Sequence, residues 1–199
     1  FKRKGKNVKL YPVPGNHWKV YYNLSAMPLI SIIIPTRNQR DLLEPCLESI
    51  LQKTTYPNLE IIIADNDSDD HATWEFLQTI QKKGIQVIQV GGTFNFSRII
   101  NYSVKKASGD FLCFLNNDIT VINENWLEEM LTHAQRTEIG AVGAMLYYPN
   151  DTIQHAGVIL GMGGIAGHAY KHFPRGSEGI LNRARLVQNY SAVTAACML

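Results

Sequence analysis

The sequence predicts an α/β fold in which helices cover both faces of a mostly parallel sheet. Short β-branched apolar runs alternate with segments whose apolar residues recur at helical spacing. The 199 residues are 45% hydrophobic and only 18% charged, so much of the chain should be buried. Near-continuous apolar strands separated by helices are typical of parallel sheets, because both faces of such a sheet are covered.

The folded domain is predicted to span residues 28–199, after an extended basic lead-in or linker at residues 1–27. The lead-in lacks clear periodicity and holds six basic residues and no acidic one. Such an arm can contact anionic lipid or nucleic acid, or it can be a solvated tail that follows another domain of a longer chain. The net charge of the whole chain is only +2, and we therefore expect no nucleic-acid partner.

The first strand is predicted at residues 29–34, a β-branched run that Pro35 ends. Asp41 is the predicted N-cap of the next helix, with Pro45 in its first turn. Further strands are predicted at 59–64, 85–90, 111–115 and 139–146, and further helices at about 70–83, 97–107 and 124–135. The alternation then stops, and the glycine-rich segment 155–167 predicts a β-hairpin or lid-like region beside the sheet.

The three cysteines are odd in number and widely spaced, without the spacing of a zinc site. Cys46 and Cys113 lie in apolar runs and are predicted to be small core residues. Free cysteines of this kind are typical of a reducing compartment. We therefore expect a cytoplasmic protein, with the inner face of the membrane as the alternative that the basic arm leaves open.

Polar residues follow the predicted strands, at the edge where ligands bind in open α/β sheets. Asp65, Asn66 and Asp67 follow the second strand, and their oxygens can hold the hydroxyls and base of a nucleotide. Asn116, Asn117 and Asp118 follow the strand at 111–115, and such oxygen ligands suit Mg²⁺ or Mn²⁺ bridging a diphosphate. For both groups the alternative is a turn whose side chains bond the backbone.

Arginines and histidines supply weaker signals. Arg37 could meet phosphate after the first strand, and Arg98 could do so near the start of a later helix, although single arginines are often solvated. His155 and His168 flank the glycine-rich segment. They could line a pocket or be two structural histidines.

Several segments together resemble the family 2 glycosyltransferases, which have the GT-A fold. The matching segments are 28–38, 61–69, 94–101, 107–118, 126–130, 140–144, 154–158 and 191–197. The resemblance covers roughly residues 28–199 in order and at familiar spacing. It is strongest to bacterial enzymes of O-antigen and cell-surface polysaccharide synthesis of the rhamnosyltransferase type.

The resemblance implies a role for each matching position. The donor nucleotide would be bound by Pro35, Thr36, Arg37, Asn38, Asp65, Asn66, Asp67, Arg98, Asn101, Asn116 and Asn117. Asp118 would hold the divalent metal, Mg²⁺ or Mn²⁺, and Asn116 replaces the first aspartate of the family's D-x-D motif. His155 and His168 would lie toward the acceptor. Many relatives have aspartate in place of Asn66, which leaves the choice of nucleotide open.

The implied reaction is inverting transfer of a sugar from a nucleotide-diphosphate donor to a saccharide or lipid-linked acceptor. In the family, the carboxylate base lies in a segment after the last matching strand. No residue here fits that role, and we expect the base beyond Leu199, in a C-terminal part that this chain lacks.

Two other functions are alternatives to sugar transfer. One is a non-catalytic nucleotide- or glycan-binding module of a larger surface-polysaccharide protein. The other is a nucleotidyltransferase, which should carry a glycine-rich phosphate loop after the first strand. Residues 35–38 contain no glycine, which argues against it.

Overall fold

The computed structural model describes residues 7–199, which form two compact units. The sheet unit comprises residues 26–127, 195–197 and 199. The hairpin unit comprises the described residues up to Ser25 together with 128–194 and 198. Four basic residues of the predicted arm, Lys2, Arg3, Lys4 and Lys6, lie outside the described residues.

The strands and helices follow one another in a βα alternation through the middle of the chain. The chain begins with β1 (Val8–Val13), β2 (His17–Tyr22), β3 (Ile30–Thr36), α1 (Arg40–Lys53), β4 (Leu59–Asp65), α2 (His71–Lys82), β5 (Gln86–Gln89) and α3 (Phe96–Val104). It continues with β6 (Phe111–Leu115), α4 (Trp126–Ala134), β7 (Leu146–Tyr147), β8 (Ile153–His155), β9 (Val158–Leu160), β10 (Ala166–His168) and β11 (Cys197–Met198). Short 3-10 turns lie at Met162–Gly164 and Ile180–Arg185.

A five-stranded sheet in the order β11-β6-β3-β4-β5 forms the centre of the sheet unit. The pairs β3–β4, β3–β6 and β4–β5 are parallel, as predicted. The isoleucines Ile32, Ile33 and Ile34 of β3 are fully buried, although successive side chains point to opposite faces. Both faces of the central strand are therefore covered, which explains the continuous apolar run in the sequence.

The start of α1 differs from its prediction. The helix begins at Arg40, and its N-cap is Gln39 in the left-handed conformation (φ 60°). Asp41 therefore lies in the first turn instead of capping the helix, and Pro45 lies inside the helix, beyond the first turn. Asn38 is also left-handed (φ 55°), and the N-cap lies two residues earlier than the predicted one.

The predicted strand at 139–146 is wrong except for its last residue. Only Leu146–Tyr147 forms a strand, and Gly143 makes an isolated bridge with Met198. A Cβ atom on Gly143 would lie 2.6 Å from the Cβ atom of Val193. Gly143 therefore allows the close approach of the Val193 side chain, and the strand does not extend through it.

The lead-in also contains regular structure that the prediction omitted. β1 and β2 pair as an antiparallel hairpin, with Val13 opposite His17 across the turn. Gly15 (φ 81°) and Asn16 (φ 58°) supply the left-handed residues of that turn. Lys9 and Lys19 lie on one face and Leu10, Val20 and Trp18 on the other, while aromatic residues occupy both faces and weaken the alternation in the sequence.

The glycine-rich segment forms the predicted hairpin, with β9 and β10 antiparallel and Leu160 opposite Ala166.

Cys46 and Cys113 are buried, as predicted, and all three cysteines are free. Among the described residues, no helix combines the length and apolarity needed to cross a bilayer.

Candidate donor site at the carboxyl ends of the strands

The loops that follow β3 and β4 begin side by side. Thr36, the last residue of β3, is paired with Asp65, the last residue of β4. The Asn66 N–H donates to the Thr36 carbonyl at 2.8 Å, so the ladder continues one residue beyond the strands. This register brings the predicted groups 35–38 and 65–67 to one edge of the sheet.

Asn38 cross-links the two loops. Its Nδ2 donates to Asp69 Oδ1 at 2.8 Å, and its Oδ1 accepts from the N–H groups of Asp69 and Asp70, both at 3.0 Å. Its own N–H donates to Ser68 Oγ at 2.7 Å. Most of the hydrogen-bonding capacity of the Asn38 side-chain amide is therefore satisfied within the protein. Its main role is to hold the two loops of the site together.

Two aspartates of the β4 loop also bond within the protein. Asp65 is buried and accepts from the Ser68 N–H at 3.2 Å and from the Ser68 hydroxyl. Asp67 is left-handed (φ 56°), and its Oδ2 accepts from the Gly92 N–H at 2.6 Å. Ser68, which bonds both Asp65 and Asn38, was not among the predicted site residues. The signal that could have identified Ser68 is its position in the sequence Asp-Asn-Asp-Ser, where serine favours a turn that bonds the preceding side chains.

Asn66 is a buried link between β4 and the segment after β5. Its Nδ2 donates to the carbonyls of Val90 (2.7 Å) and Gly92 (2.9 Å). Because carbonyls only accept, the orientation of this amide is determined. Its Oδ1 is buried and has no hydrogen-bond partner among the described residues. An aspartate here could not donate to the two carbonyls, so asparagine is required by this local structure.

Arg98 stabilises the loop before α3. Its guanidinium donates to the carbonyls of Gly91 and Thr93, the latter at 2.9 Å. Its N–H donates to Asn95 Oδ1 at 2.9 Å, which makes Asn95 the N-cap of α3. Asn101 is exposed on the same helix, and Arg37 is exposed after β3. The structure thus gives Arg98 a loop-ordering contact that sequence reasoning did not identify.

The loop after β6 reaches β3 through a hydrogen bond. Asn117 Nδ2 donates to Thr36 Oγ1 at 3.2 Å. The Asn116 peptide is held on both sides, since its N–H donates to the Ala196 carbonyl at 3.0 Å and its carbonyl accepts from Cys46 Sγ at 3.7 Å. Burial raises the pKa of Cys46 to about 12, so its sulfur keeps the proton that it donates. The three predicted groups therefore meet at one edge of the sheet.

Asp118 is exposed at this edge, as are Asp67 and Asp69. Asp65 and Asp67 are occupied by Ser68 and Gly92. Within residues 7–199 there is no group of three or more His, Cys, Asp or Glu side chains arranged to hold a metal. A single carboxylate fits a hard cation whose other ligands are phosphate oxygens and water. The oxygen ligands at this edge therefore suit a cation that is bound jointly by Asp118 and a diphosphate.

A cavity of about 430 Å³ lies beside this edge, between the starts of α1 and α2. Its lining includes the acidic residues Asp41, Glu44 and Asp70. Arg40, the basic residue of the lining, is paired with Glu44 at 2.9 Å. An acidic lining disfavours a diphosphate, so this cavity is a poor candidate for the donor site.

The two predicted histidines meet in the hairpin unit. The Nδ1 atoms of His155 and His168 lie 2.8 Å apart, and the rings pack edge to face at 4.9 Å. His155 is buried, and its Nε2 accepts from the Thr194 N–H at 3.4 Å. Burial, with a smaller contribution from His168, lowers the pKa of His155 to about 4. His155 is therefore neutral at physiological pH.

Comparison with known proteins decides the family. A sequence model described as "Glycosyl transferase family 2" matches residues 31–196. The chain belongs to glycosyl transferase family 2. It is 42% identical over 194 residues to the uncharacterized protein y4gI of Sinorhizobium fredii, covering 96% of this chain and 21% of that protein. It is 35% identical over 198 residues to the O-antigen biosynthesis protein RfbC of Myxococcus xanthus, covering 99% and 16%.

The structural comparison shows the fold expected for a member of family 2. The mannosyltransferase PcManGT from Pyrobaculum calidifontis, in complex with GDP-Man and Mn²⁺, aligns with a TM-score of 0.53 at 21% identity. The alignment covers 75% of this chain and 42% of that one. The predicted GT-A fold is thereby confirmed. This family 2 chain spans about a fifth or less of the length of the two relatives named above.

Proposed function

We propose that the chain binds a nucleotide-diphosphate sugar at the edge formed by Thr36, Asp65, Asn117 and Asp118. We propose further that it takes part in transferring the sugar to a saccharide or lipid-linked acceptor in bacterial surface polysaccharide synthesis. The observation that carries the proposal is the hydrogen bond from Asn117 to Thr36, which joins the β6 loop to the β3 loop. Family membership and the relative named for O-antigen biosynthesis support it. The sequence resemblance favours a deoxyhexose of the rhamnose type.

Each residue has a proposed contact with the donor. The exposed Asp118 would hold Mg²⁺ or Mn²⁺ together with the diphosphate, and the bound cation would neutralise charge on the leaving group. The half-buried Asn117 would offer its amide to the ribose or sugar hydroxyls, and the buried Thr36 hydroxyl, which accepts from that amide, would orient it. Asp65 and Ser68 shape the pocket for the base. The solved neighbour with GDP-Man and Mn²⁺ supports a nucleotide sugar and a divalent cation as ligands.

The proposed transfer inverts the anomeric carbon. The acceptor hydroxyl oxygen forms a bond to that carbon while the bond to the diphosphate oxygen breaks. The nucleoside diphosphate leaves, and the hydroxyl proton passes to a general base. We assign that base to no residue of this chain. His155 and His168 remain proposed acceptor-side residues, and the neutral His155 suits hydrogen bonding better than charge stabilisation.

A non-catalytic binding module is the second candidate. It is favoured by Asn116, which places an amide where a carboxylate would give a stronger metal ligand. Restored transfer in a longer chain that carries a carboxylate base would decide against this alternative.

A cytoplasmic location is part of the proposal. The three cysteines are free and buried, which supports a reducing compartment. We propose that the protein acts at the inner face of the membrane, where a lipid-linked acceptor would be available.

Calorimetric titration with UDP, dTDP, GDP and CDP, each with and without Mn²⁺, tests the donor site. We expect Mn²⁺-dependent binding of one nucleotide, weakened at least about tenfold in Asp118→Ala. Asp110→Ala is the matched control, since Asp110 precedes β6 at the opposite edge of the sheet and bonds the Leu29 N–H there. A folded wild-type protein that binds none of the four nucleotides would contradict the proposal.

A further inference from the structure

One face of α1 holds the segment that joins β6 to α4. Residues 116–125 form neither a strand nor a helix, and they carry Asp118, the proposed cation ligand, in an exposed position. Cys46, Ser49 and Lys53 follow one another along α1 at intervals of three and four residues, so their side chains lie on the same face of the helix. All three bond to the backbone of residues 116–125, named here the Asp118 segment.

The Asp118 segment begins with a turn that Cys46 contacts. The Ile119 N–H donates to the Asn116 carbonyl at 3.4 Å, so Asp118 is the third residue of a four-residue turn. The Cys46 thiol donates to the same carbonyl at 3.7 Å. The Asn116 N–H is bonded to the Ala196 carbonyl, so both backbone groups of the first turn residue are fixed.

Both backbone groups of Val121 are bonded to side chains of α1. Its N–H donates to Ser49 Oγ at 3.0 Å, and its carbonyl accepts from Lys53 Nζ at 2.7 Å. The Ser49 hydroxyl donates to the Cys46 carbonyl at 2.8 Å, which leaves its lone pairs free to accept from Val121. Ser49 and Val121 are buried, and buried backbone groups require such partners. Side chains of a helix therefore replace the partners that a strand would have had.

These contacts lie on both sides of Asp118 in the chain. Because Asp118 is exposed, the place of its carboxylate depends on the backbone that carries it. A cation bound jointly by one carboxylate and a diphosphate has few protein ligands, so its affinity depends strongly on how well that carboxylate is placed. A segment that became ordered only with the cation would bind it more weakly, because ordering costs conformational entropy.

We propose that α1 positions Asp118 for the cation of the donor site. Ser49 and Lys53 fix Val121, Cys46 fixes Asn116, and the carboxylate is in place before the cation binds. Ser49 and Lys53 are positioning residues, since they act through the backbone of the Asp118 segment. This inference rests on the proposed function, because it assigns residues to the cation of that site.

Amide hydrogen exchange of the protein without nucleotide or metal measures the order of the Asp118 segment. Ser49→Ala removes the acceptor of the Val121 N–H, and Lys53→Met removes the donor to its carbonyl while keeping an unbranched side chain. We expect exchange at residues 117–122 to be at least about fivefold faster in each variant, while exchange in β4 is unchanged. Exchange in this segment equal to that of the wild type in both variants would contradict the inference.

Titration with Mn²⁺ at a fixed nucleotide concentration measures the effect on the cation. The Mn²⁺ concentration for half-maximal nucleotide binding should rise at least about fivefold in Ser49→Ala and in Lys53→Met. Loss of the Lys53 charge by itself would favour the cation, because a repulsive charge is removed, so weaker binding reports lost positioning. Lys53→Arg keeps a cationic donor and should restore the wild-type requirement to within about twofold.

Lys82→Met is the matched control. Lys82 is exposed and is the last residue of α2, as Lys53 is the last residue of α1, so the same change of charge is made at the same place in a helix. It should leave both the exchange of the Asp118 segment and the Mn²⁺ requirement unchanged. Equal effects of Lys82→Met and Lys53→Met would show that the contact with Val121 is not responsible.

The outcomes separate this inference from the proposed function. A wild type that binds nucleotide with Mn²⁺, together with variants that need no more Mn²⁺, would overturn the inference alone. A wild type that binds no nucleotide would overturn the proposed function and with it the inference. Circular dichroism checks that each variant folds, and the exposed Lys53 keeps the test available if Ser49→Ala does not.

Discussion

His155 and His168 share a single proton between their Nδ1 atoms, which lie 2.8 Å apart. The Thr194 N–H donates to Nε2 of His155, so the proton of neutral His155 must lie on Nδ1. His155 therefore donates and His168 accepts. A second proton on the pair would place two N–H groups against each other or break the bond to Thr194.

This arrangement predicts a loss of stability in acid. The pKa of His155 is about 4 in the folded protein, against an ordinary value of 6.5. Between these values the unfolded chain binds more protons than the folded one, so the free energy of unfolding decreases as the pH falls from 6.5 to 4. We expect the pair to contribute about 1–3 kcal/mol of that decrease, measured by urea unfolding across the window.

Two variants separate the pair from other titrating groups. His155→Asn should make the unfolding free energy less dependent on pH between 6.5 and 4. His71→Gln should leave the dependence unchanged, because the His71 side chain is 84% exposed. A slope in His155→Asn equal to that of the wild type would contradict the assignment.

Replacement of Asn66 by aspartate should destabilise the protein, although the two side chains have almost the same shape. The carboxylate would lose both donations, to Val90 and Gly92, and would be buried facing their carbonyl oxygens. We expect a loss of about 3 kcal/mol, which is typical of an uncompensated buried charge, measured by thermal or urea unfolding at pH 7.

Asn101→Asp is the control for replacing a side-chain amide by a carboxylate. Asn101 is exposed on α3, and the same substitution there should change the unfolding free energy by less than about 0.5 kcal/mol. Comparable stability of Asn66→Asp and Asn101→Asp would show that Asn66 does not act through its two donations.

Gly109 should tolerate no side chain. An added Cβ atom would lie 2.7 Å from the Ser31 backbone nitrogen and 2.9 Å from the Leu29 carbonyl oxygen, where β3 begins. These backbone atoms are fixed within the central strand, so Gly109→Ala should cost about 1–3 kcal/mol in urea unfolding. Gly140→Ala is the control, since no atom lies within 4 Å of a Cβ at that position. A difference of less than about 0.5 kcal/mol between the two variants would refute the steric argument.

Most of the sheet unit was predictable because its signals are local. The run at 29–34 predicted β3, and the polar residues after it predicted the edge where the loops meet. The boundaries of α1 were less accurate, because two left-handed residues, Asn38 and Gln39, replace the expected cap. That conformation depends on the bonds of Asn38 to Ser68 and Asp69, which lie thirty or more residues away.

The roles of individual site residues were harder to predict. Asparagine, aspartate and serine after a strand suit both ligand binding and turn formation, and their sequence pattern is the same for both. The structure resolves this for Asn38 and Asn66, whose amides bond within the protein. Asp118 is exposed by contrast, and its proposed role in holding a metal stays a prediction.

The alternation of strands and helices from β3 to α4, the buried isoleucines of β3 and the polar loops at one sheet edge were determined by the sequence alone. Each of these features follows from periodicity and residue type within a few neighbours. Tertiary structure decided what depends on distant partners. It paired His155 with His168, held Asn66 against Val90 and Gly92, and left Trp18 exposed on the β1–β2 hairpin. A side chain can bond only to groups that the folded chain brings within about 3 Å, and local sequence does not specify which groups those are.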